Sequence, residues 1–389
     1  MTLAPPEISP LELRPTVMDI DLDALGHNFQ VLRERVAPAR FMAVVKANAY
    51  GHGLIRCASH LETLGVDYFG VALVEEGIAL RRAGIVTPIL IFGGIFGGQI
   101  GRYLDFDLEL TASSIDKLRA IDEVARGRGK KAKVHLKFDT GMGRIGVRPE
   151  RAVELCQAAK ALDFIEVRGI FSHFASADAE DDTQTLEQIE AFRSCTDAAN
   201  TIIPAPLAHI SNSGAVFQHG EARLDMVRVG ISLYGVPPEK HLVGYLPLKP
   251  VMSISSRVVY FKVVKQGAGV SYGSTWRAPH DSRVVTIPIG YGDGYSRSLS
   301  NKAHVLIRGE RRPVVGNICM DQIMVDIGHG EAFNGDEVVI LGTQGAETIT
   351  VLELAELSGT VPHEVLTALN LRIPRRYHHA GCVTIEAHG

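Results

Sequence analysis

The sequence predicts an α/β protein with an N-terminal (β/α)8 barrel of the TIM type and a C-terminal, mostly antiparallel β domain. From residue 41 to about residue 235, short apolar runs alternate with amphipathic helical patterns, which is typical of a parallel sheet. After about residue 245, β-rich runs follow one another between Gly, Pro, Asn and Asp turns. We therefore expect a barrel domain over residues 16–245 and a β-rich domain over residues 246–389, with residues 1–15 packing against the second domain.

Eight apolar runs are the candidate strands of the barrel, and the amphipathic segments between them are its candidate helices. The strands are predicted at Phe41–Ala47, Tyr68–Leu73, Pro88–Phe92, Leu108–Thr111, Lys133–Phe138, Val167–Ser172, Leu207–Ile210 and Met226–Leu233. The helices are predicted at Ala24–Val36 with Asp23 as its N-cap, Ser114–Arg126, Glu150–Ala161 and Thr183–Asp197. Eight such units in roughly 200 residues favour a closed barrel, and a doubly wound open sheet is the alternative fold.

The second domain is predicted from six β-rich runs and two short helices. The strands are expected at Val251–Val264, Arg283–Ile289, Ala303–Arg308, Val314–Ile318, Gln322–Ile327 and Glu337–Leu341. The helices are expected at Val351–Ser358, capped by Thr350, and at Pro362–Leu369. The segment Leu242–Pro250, with its two prolines, is interpreted as the linker between the domains.

Composition excludes several classes of protein. The 389 residues are 46% hydrophobic and 22% charged, which is ordinary for a globular chain. The net charge of −4, without a dense block of Lys and Arg, argues against nucleic-acid binding. The five scattered cysteines, without a C-x-x-C pair or a signal-peptide pattern, predict a cytoplasmic protein with reduced thiols. The uncharged stretch Ala83–Gly101 contains six glycines, so we expect a strand and a loop there, not a membrane helix.

Lys46 is the first candidate for chemistry, because it lies at the carboxyl end of the first predicted barrel strand. In a barrel, the active site is built at this end of the strands. Apolar surroundings lower the pKa of an amine, and a neutral amine can form a Schiff base with a carbonyl compound such as pyridoxal phosphate. The alternative is a strand-end lysine that only extends to water.

Glycine-rich turns are the second feature, because their backbone N–H groups can bind a phosphate. Three stretches qualify, at residues 93–98, 212–214 and 229–232, and none of them matches a P-loop. The last two follow the seventh and eighth predicted strands, where barrels often bind phosphate. Turns that only connect strands to helices are the alternative interpretation.

Four basic side chains complete the candidates of the first domain. Arg228 lies within an apolar strand pattern, where a guanidinium group needs a partner, and we expect it to face the barrel mouth. His173 and His209 lie at the ends of the sixth and seventh strand patterns, either as packed core residues or as site residues. A metal site is not expected there, because carboxylates and cysteines at ligand spacing are missing from the sequence around them. Arg144, in a glycine-rich loop, could bind a carboxylate through both of its terminal nitrogens.

The second domain contains three unusual motifs that are rich in glycine or small residues. Tyr272 lies between Ser271 and Gly273, Tyr291 lies in a polar loop at the end of an apolar strand, and Met320 precedes Asp321. Each motif alone is more often a turn carrying an exposed side chain than a catalytic element.

Together these motifs resemble those of the alanine racemase family. The matching segments are AVVKANAYGHG at residues 43–53, KFDTGMGRIG at 137–146, RVGISLYG at 228–235, VSYGSTW at 270–276, IGYGDGY at 289–295 and ICMDQ at 318–322. They occur in the family's order, and the resemblance spans about residues 12–377. It implies a pyridoxal-phosphate-dependent enzyme that interconverts L-alanine and D-alanine and supplies D-alanine for peptidoglycan. It also implies a cytoplasmic homodimer whose active site is shared between subunits.

The resemblance implies a role for each matching residue. Lys46 would hold the cofactor covalently and act as the base for D-alanine, and Tyr272 of the other subunit would act as the base for L-alanine. Arg228, supported by His209, would contact the pyridine nitrogen. The other implied contacts are Tyr50, His173, Asn212, Ser213, Gly230, Ile231 and Tyr291 to the cofactor, and Arg144 and the Met320 backbone to the substrate, with Asp321 and a Lys137 that is often carbamylated as supporting residues.

Two positions depart from the family pattern. Leu371 stands where some members have a tyrosine that reaches the phosphate, and Asn317 stands where many members have an arginine. These changes concern the phosphate contacts and the polarity of the active-site entrance.

The alternatives to an alanine racemase are a racemase of broader range that accepts serine, a decarboxylase of the same architecture and a non-catalytic pyridoxal-phosphate carrier. The presence of two candidate bases, Lys46 and Tyr272, favours racemisation.

Overall fold

The computed structural model describes residues 14–204 and 206–386, and the chain divides into two compact units. The barrel unit comprises Leu25–Ala49 and Gly53–Lys249. Among the described residues, the β unit comprises those up to Ala24, Tyr50–His52 and those from Pro250 onward. The predicted packing of residues 1–15 concerns a segment that lies, up to residue 13, outside the described residues.

Strands and helices alternate through the first part of the chain. In order they are β1 (Val17–Asp21), α1 (Leu22–Val36), β2 (Arg40–Val44), α2 (Leu54–Thr63), β3 (Tyr68–Val71), α3 (Val74–Arg82), β4 (Ile89–Ile91), α4 (Ile100–Asp105), β5 (Leu110–Ala112), α5 (Ile115–Gly127), β6 (Ala132–Lys137), α6 (Ala152–Lys160), β7 (Ile165–Phe171), α7 (Thr183–Ile202), β8 (Leu207–His209), α8 (Ser213–Gln218) and β9 (Met226–Val229). Among these described helices, none is both long and apolar enough to cross a membrane, and the same holds for those that follow.

The strands of the barrel unit form a closed parallel sheet. Parallel pairing connects β4, β3, β2 and β9 in that order, and likewise β5, β6, β7 and β8. A parallel bridge between Leu90 and Glu109 joins the two sets on one side. On the other side, the Arg228 N–H donates to the Ser211 carbonyl at 2.9 Å. The predicted (β/α)8 barrel is therefore confirmed, and the open-sheet alternative is wrong.

Apolar side chains fill part of the barrel interior. Met42, Tyr68, Leu90 and Met226, from four neighbouring strands, form one buried cluster. Burying these side chains removes apolar surface from water, which contributes to stability. The interior is consequently a packed core, and a site for ligands has to lie at the ends of the strands.

Local predictions for the barrel differ from the structure at several places: the strand predicted at Met226–Leu233, for example, ends at Val229. The first barrel strand, predicted to end at Ala47, ends at Val44 because the chain turns sharply from Lys46 onward. The helix predicted to begin after an Asp23 cap begins at Leu22 instead. Its first turn is capped by Asp21, whose Oδ1 accepts the Ala24 N–H at 2.8 Å.

The second part of the chain is mostly strand. It contains β10 (Met252–Arg257), β11 (Tyr260–Val264), β12 (Gly269–Val270), β13 (Trp276–Arg277), β14 (Ser282–Ile287), β15 (His304–Ile307), β16 (Glu310–Pro313), β17 (Ile323–Gly328), β18 (Glu337–Gln344), β19 (Glu347–Ile349), α9 (Val351–Ser358), α10 (Pro362–Ala368), β20 (Arg375–His379) and β21 (Cys382–Glu386). The main sheet has the order β16-β15-β18-β10-β1-β20-β21, with β19 paired to β18. A three-stranded sheet runs β11-β14-β17. Only the β1–β20 pair is parallel among the described strands of this unit, so the mostly antiparallel prediction is confirmed.

One predicted strand of the β unit is wrong. Residues Val314–Ile318 are not a strand, apart from a single bridge between Val314 and Val325; the strand in this region is β16, which ends at Pro313. Gly316 has a φ of 75°, and a Cβ there would lie 2.6 Å from the Val270 carbonyl oxygen. The chain therefore turns at this glycine and passes close to the motif that carries Tyr272.

Candidate active site

Lys46 begins a left-handed turn directly after β2. The φ values of Ala47, Asn48, Ala49 and Tyr50 are 52°, 56°, 52° and 52°. This conformation costs an L-residue about 1–2 kcal/mol. The Asn48 side chain stabilises it, because its Oδ1 accepts the Leu54 N–H at 2.8 Å. Four strained residues next to a candidate nucleophile suggest that the turn serves to place the lysine.

Glu76 holds this turn against the neighbouring strand end. Its Oε1 accepts the Ala47 N–H at 2.6 Å, and its Oε2 accepts the N–H groups of Ala72 and Leu73 at 2.9 and 3.0 Å. One carboxylate thus connects the loop after β2 to the loop after β3. Glu76 was not among the predicted site residues, because in the sequence it is only one of two adjacent glutamates at the start of a helix.

The charges near Lys46 make its amine easier to deprotonate. Burial, followed by the positive charges of Arg144 and Arg228, lowers the pKa of Lys46, while Glu76 acts in the opposite direction. The neutral form is therefore available at lower pH than for a solvated lysine. A neutral amine is the form that attacks a carbonyl carbon or accepts a proton.

Arg228 is buried on β9 and is held entirely by neutral acceptors in its described contacts. Its Nη2 lies 2.8 and 3.0 Å from the carbonyl oxygens of Ser172 and Ile210 and 3.1 Å from His173 Nδ1, so its two hydrogens are shared among three acceptors. Its Nη1 donates to His209 Nδ1 at 3.1 Å. Burial, then Arg144, lowers the pKa of Arg228 to about 9, so the guanidinium stays charged at neutral pH.

The two histidines bonded to Arg228 are neutral at physiological pH. Burial is the main cause that moves the pKa of His173 and the pKa of His209 well below 6.5, and the charge of Arg228 is the second. Since each offers its Nδ1 lone pair to Arg228, each carries its proton on Nε2. His209 in turn contacts His135, and His135 contacts Glu109; these two buried residues were also not among the predicted site residues. The sequence did contain a signal for both residues, because His135 and Glu109 are polar residues inside apolar strand patterns.

Lys137 and Arg144 lie on β6 and on the loop that follows it. Lys137 is 4% exposed, and its Nζ lies 4.4 Å from the centre of the Phe171 ring. Burial, then Arg228 and Arg144, lowers the pKa of Lys137 well below 10.5. The loop returns to β6, since the Val147 N–H donates to the Lys137 carbonyl at 2.9 Å, and this places the exposed Arg144 near the strand ends.

The donors at the ends of β8 and β9 fit an anionic group. Asn212 caps α8, its Oδ1 accepting the Ala215 N–H at 3.0 Å. Ser213 is buried and accepts the Gly230 N–H at 3.0 Å, which joins the two glycine-rich turns. Ile231 begins a short 3-10 helix directly after Gly230. Hydroxyl and backbone N–H groups beside a desolvated lysine and a fixed arginine are the donor set that pyridoxal phosphate requires.

The β unit brings its own predicted residues together. The Tyr291 N–H donates to the Cys319 carbonyl at 3.1 Å, and the Gly292 N–H donates to the Met320 carbonyl at 2.8 Å. Asn317 Nδ2 donates to the Tyr272 carbonyl at 2.7 Å. The exposed side chains of this cluster are Tyr272, Tyr291 and Met320. All three motifs that the sequence singled out in this domain therefore belong to one surface.

Two further predicted residues also lie in the β unit. Asp321 is bonded to Arg372, whose Nη2 donates to Asp321 Oδ1 at 2.6 Å. The ring of Tyr50 lies 5.8 Å from that of His363, and burial raises the pKa of Tyr50. Leu371, one of the two positions that depart from the resembled pattern, is half-exposed.

These observations first define a class of protein. A closed barrel that carries a desolvated lysine, a buried arginine and anion-binding turns at its strand ends, followed by an antiparallel β domain, is the architecture of a pyridoxal-phosphate-dependent barrel enzyme.

Comparisons with known proteins give the family. The model of the alanine racemase N-terminal domain matches residues 20–238, and that of the C-terminal domain matches residues 251–377. The alanine racemase of Halothermothrix orenii is 42% identical over 373 residues, covering 94% of this chain and 97% of that protein. The crystal structure of alanine racemase from Bacillus anthracis with bound L-Ala-P is 33% identical, with a TM-score of 0.90 over 96% of this chain and 98% of that chain. The alanine racemase of Bartonella henselae, solved with covalently bound pyridoxal phosphate, is 30% identical, with a TM-score of 0.86 over 94% and 99% of the two chains.

The chain belongs to the alanine racemase family. It is a pyridoxal-phosphate-dependent isomerase that interconverts L-alanine and D-alanine, as the resemblance implied.

Proposed function

We propose that the protein racemises alanine with two bases, Lys46 and Tyr272, acting on opposite faces of the substrate. Racemisation removes the α-proton on one face and returns a proton on the other, so two opposed bases are sufficient. Lys46 serves D-alanine and Tyr272 serves L-alanine. The observation that carries this proposal is the lowered pKa of Lys46 at a barrel strand end, because it makes a neutral amine available.

Pyridoxal phosphate, when bound, supplies an electron sink for the α-carbon. Lys46 would hold it covalently, and Arg228, supported by His209, would contact the pyridine nitrogen. Since the Arg228 guanidinium stays charged at neutral pH, it donates a hydrogen bond but does not readily give up a proton. Further cofactor contacts are assigned to Tyr50, His173, Asn212, Ser213, Gly230, Ile231 and Tyr291.

Arg144 and the Met320 backbone bind the substrate in this proposal. A guanidinium group matches a carboxylate through two parallel hydrogen bonds, which fixes the orientation of alanine. Lys137 supports Arg144, and Asp321 supports Met320. The lowered pKa of Lys137 favours a neutral amine, which does not repel Arg144. The neutral amine is also the form that can add to carbon dioxide, with release of a proton, to become a carbamate.

We further propose a cytoplasmic homodimer in which Tyr272 acts on the barrel of the partner subunit. Tyr272 is 72% exposed within one chain, although a base needs a site that excludes water. Strand β11 also exposes Tyr260 and Val263, 57% and 52%, which are large apolar side chains that a second subunit would cover.

The test is proton NMR of L-alanine in D2O with purified protein and pyridoxal phosphate, followed by chiral analysis. We expect the α-proton signal to disappear while D-alanine accumulates. A stable α-proton in protein that carries the cofactor would contradict the proposal. Repeating the assay with L-serine measures the substrate range, because excluding one added hydroxyl is difficult for a small pocket.

A further inference from the structure

A row of four buried polar side chains crosses the interior of the barrel. Glu109 Oε2 lies 2.7 Å from His135 Nε2, His135 Nδ1 lies 2.9 Å from His209 Nε2, and His209 Nδ1 lies 3.1 Å from Arg228 Nη1. All four residues are no more than 4% exposed. Burying polar and charged side chains costs free energy unless each one is hydrogen-bonded, so the contacts within this row are needed to offset that cost.

The chemistry of the two ends determines where the protons lie. Arg228 can only donate a hydrogen bond, so His209 Nδ1 is the acceptor and His209 Nε2 carries the proton. That proton is donated to His135 Nδ1, which leaves the proton of His135 on Nε2. This last proton is donated to Glu109, and an ionised carboxylate can only accept. The groups at both ends of the row therefore allow only one arrangement, in which both histidines are neutral and each carries its proton on Nε2.

We propose that Glu109 and His135 are positioning residues for Arg228. Glu109 supplies the buried counter-charge, and the two neutral histidines connect it to Arg228 through hydrogen bonds whose proton positions are fixed. The proposal rests on the proposed function, because it takes Arg228 as the group that contacts the pyridine nitrogen. In this arrangement the His209 lone pair points at Arg228 and holds one edge of the guanidinium group. The carbonyl oxygens of Ser172 and Ile210 hold another.

The carboxylate contributes charge as well as geometry. The described acceptors around Arg228 are carbonyl oxygens and imidazole nitrogens, all neutral. A buried cation is stabilised by a negative charge in the low-dielectric interior, even through intervening polar groups that polarise one another. Glu109 is such a charge at the far end of the row. It maintains Arg228 as a cation next to the electron-deficient ring that the proposed function places there.

The competing explanation is that Glu109 only pairs with Arg168. The Arg168 Nε is 3.9 Å from Glu109 Oε1, a long contact, whereas its Nη1 donates to Glu166 at 3.0 Å. Arg168 is also 40% exposed and therefore hydrated. Its closer carboxylate is Glu166, so the 2.7 Å contact with His135 is the dominant interaction of Glu109.

The first test is the protonation of the two histidines in the full-length protein, by 15N NMR of its imidazole rings. We expect His135 and His209 both to be neutral and protonated on Nε2, with the His135 proton strongly shifted downfield by the carboxylate. A doubly protonated, positively charged ring, or a proton on His209 Nδ1, would overturn the proposal. This measurement needs no variant and no turnover, so it decides the proton order even if the protein does not racemise alanine.

The second test compares Glu109→Gln with Arg168→Gln. Glutamine keeps the shape and can accept the same hydrogen bond, but it removes the charge. In Glu109→Gln we expect kcat for alanine to fall about tenfold, the size of effect seen when an outer partner of a bound group is removed, with KM within about twofold. The visible absorbance of the bound cofactor should shift, and the NMR signal of the His135 ring proton should move upfield.

The control, Arg168→Gln, should change none of these values. Equal effects of the two substitutions would show that Glu109 serves Arg168, and unchanged kcat and absorbance in Glu109→Gln would also overturn the proposal.

Discussion

Tyr272 and Lys46, the two proposed bases, are presented by the fold in different ways. Lys46 is partly buried and lies at the start of a strained turn, whereas Tyr272 is largely exposed on the β unit and is held through its backbone by Asn317. A base that acts in one chain alone would not need such exposure. The shared-site proposal explains this difference, because Tyr272 would act on the barrel of the partner subunit.

Tyr272→Phe should lose most racemisation but retain proton exchange on one face. The substitution removes only the phenolic oxygen, so Lys46 still takes the α-proton of D-alanine, while turnover falls by roughly 10²–10⁴-fold. Following both enantiomers in D2O separates the two events. We expect D-alanine to gain deuterium much faster than it forms L-alanine. Tyr245→Phe, a change at an exposed position outside the proposed site and interface, is the matched control. Normal racemisation by Tyr272→Phe would remove this residue from the mechanism.

Single residues show clearly what the sequence could and could not predict. Lys46 and Arg228 were found because a charged residue in an apolar strand pattern is conspicuous, and the structure places both in the barrel unit. Glu109 and His135 carry the same signal but match no motif, so their contacts appear only when distant strands come together. The left-handed turn of Ala47 and its neighbours was also missed, because alanine ordinarily avoids positive φ and local propensity argues against it.

At the scale of elements, the turn after β2 depends on a carboxylate from α3. Glu76→Ala removes three backbone hydrogen bonds to a charged group, including the one to Ala47. Because each such bond contributes about 1.5–3 kcal/mol and water replaces part of it, we expect the free energy of unfolding to fall by about 2–4 kcal/mol. Urea titration measures this change. Glu75→Ala, in the same helical turn but exposed, is the control and should lose less than about 0.5 kcal/mol. Equal losses would contradict the role of Glu76.

Elements were predictable where a local pattern determined them, and were missed where pairing determined them. The helix α9 has the predicted bounds, Val351–Ser358, with Thr350 as its cap. Strand β1, by contrast, was not predicted, and it is formed by pairing with β10 and β20, which are more than 200 residues away in the chain. The wrong strand at Val314–Ile318 has the same origin, because its apolar pattern gives no indication that Gly316 must turn beside the Val270 carbonyl.

At the scale of the whole molecule, the buried histidines should make stability decrease in acid. The pKa of His173 is lowered well below 6.5 in the folded chain, whereas in the unfolded chain it is ordinary. Below about pH 6.5 the unfolded state therefore binds a proton that the folded state does not, and the free energy of unfolding falls as the pH falls. From about pH 7.5 to about pH 5.5 one such histidine costs about 1.4 kcal/mol.

Comparing urea unfolding at those two pH values measures this effect. The variant His173→Gln should lose about 1.4 kcal/mol less than the unmodified protein over this interval. His241→Gln, at an exposed position, is the control and should show the full loss. An identical acid loss in His173→Gln would mean that His173 takes up its proton in the folded state as easily as in the unfolded one.

The central claim is that each active site combines Lys46 of one subunit with Tyr272 of the other, and mixing two inactive variants tests it most directly. Lys46→Ala and Tyr272→Phe each damage both sites of their own dimer. After subunit exchange, half of the dimers are hybrids, and if Tyr272 acts across the interface each hybrid contains one intact site. We predict recovery of about one quarter of the unmodified alanine racemase activity. If hybrid dimers form, as native mass spectrometry would show, and activity stays at the level of the two parents, then the site is not shared in this way.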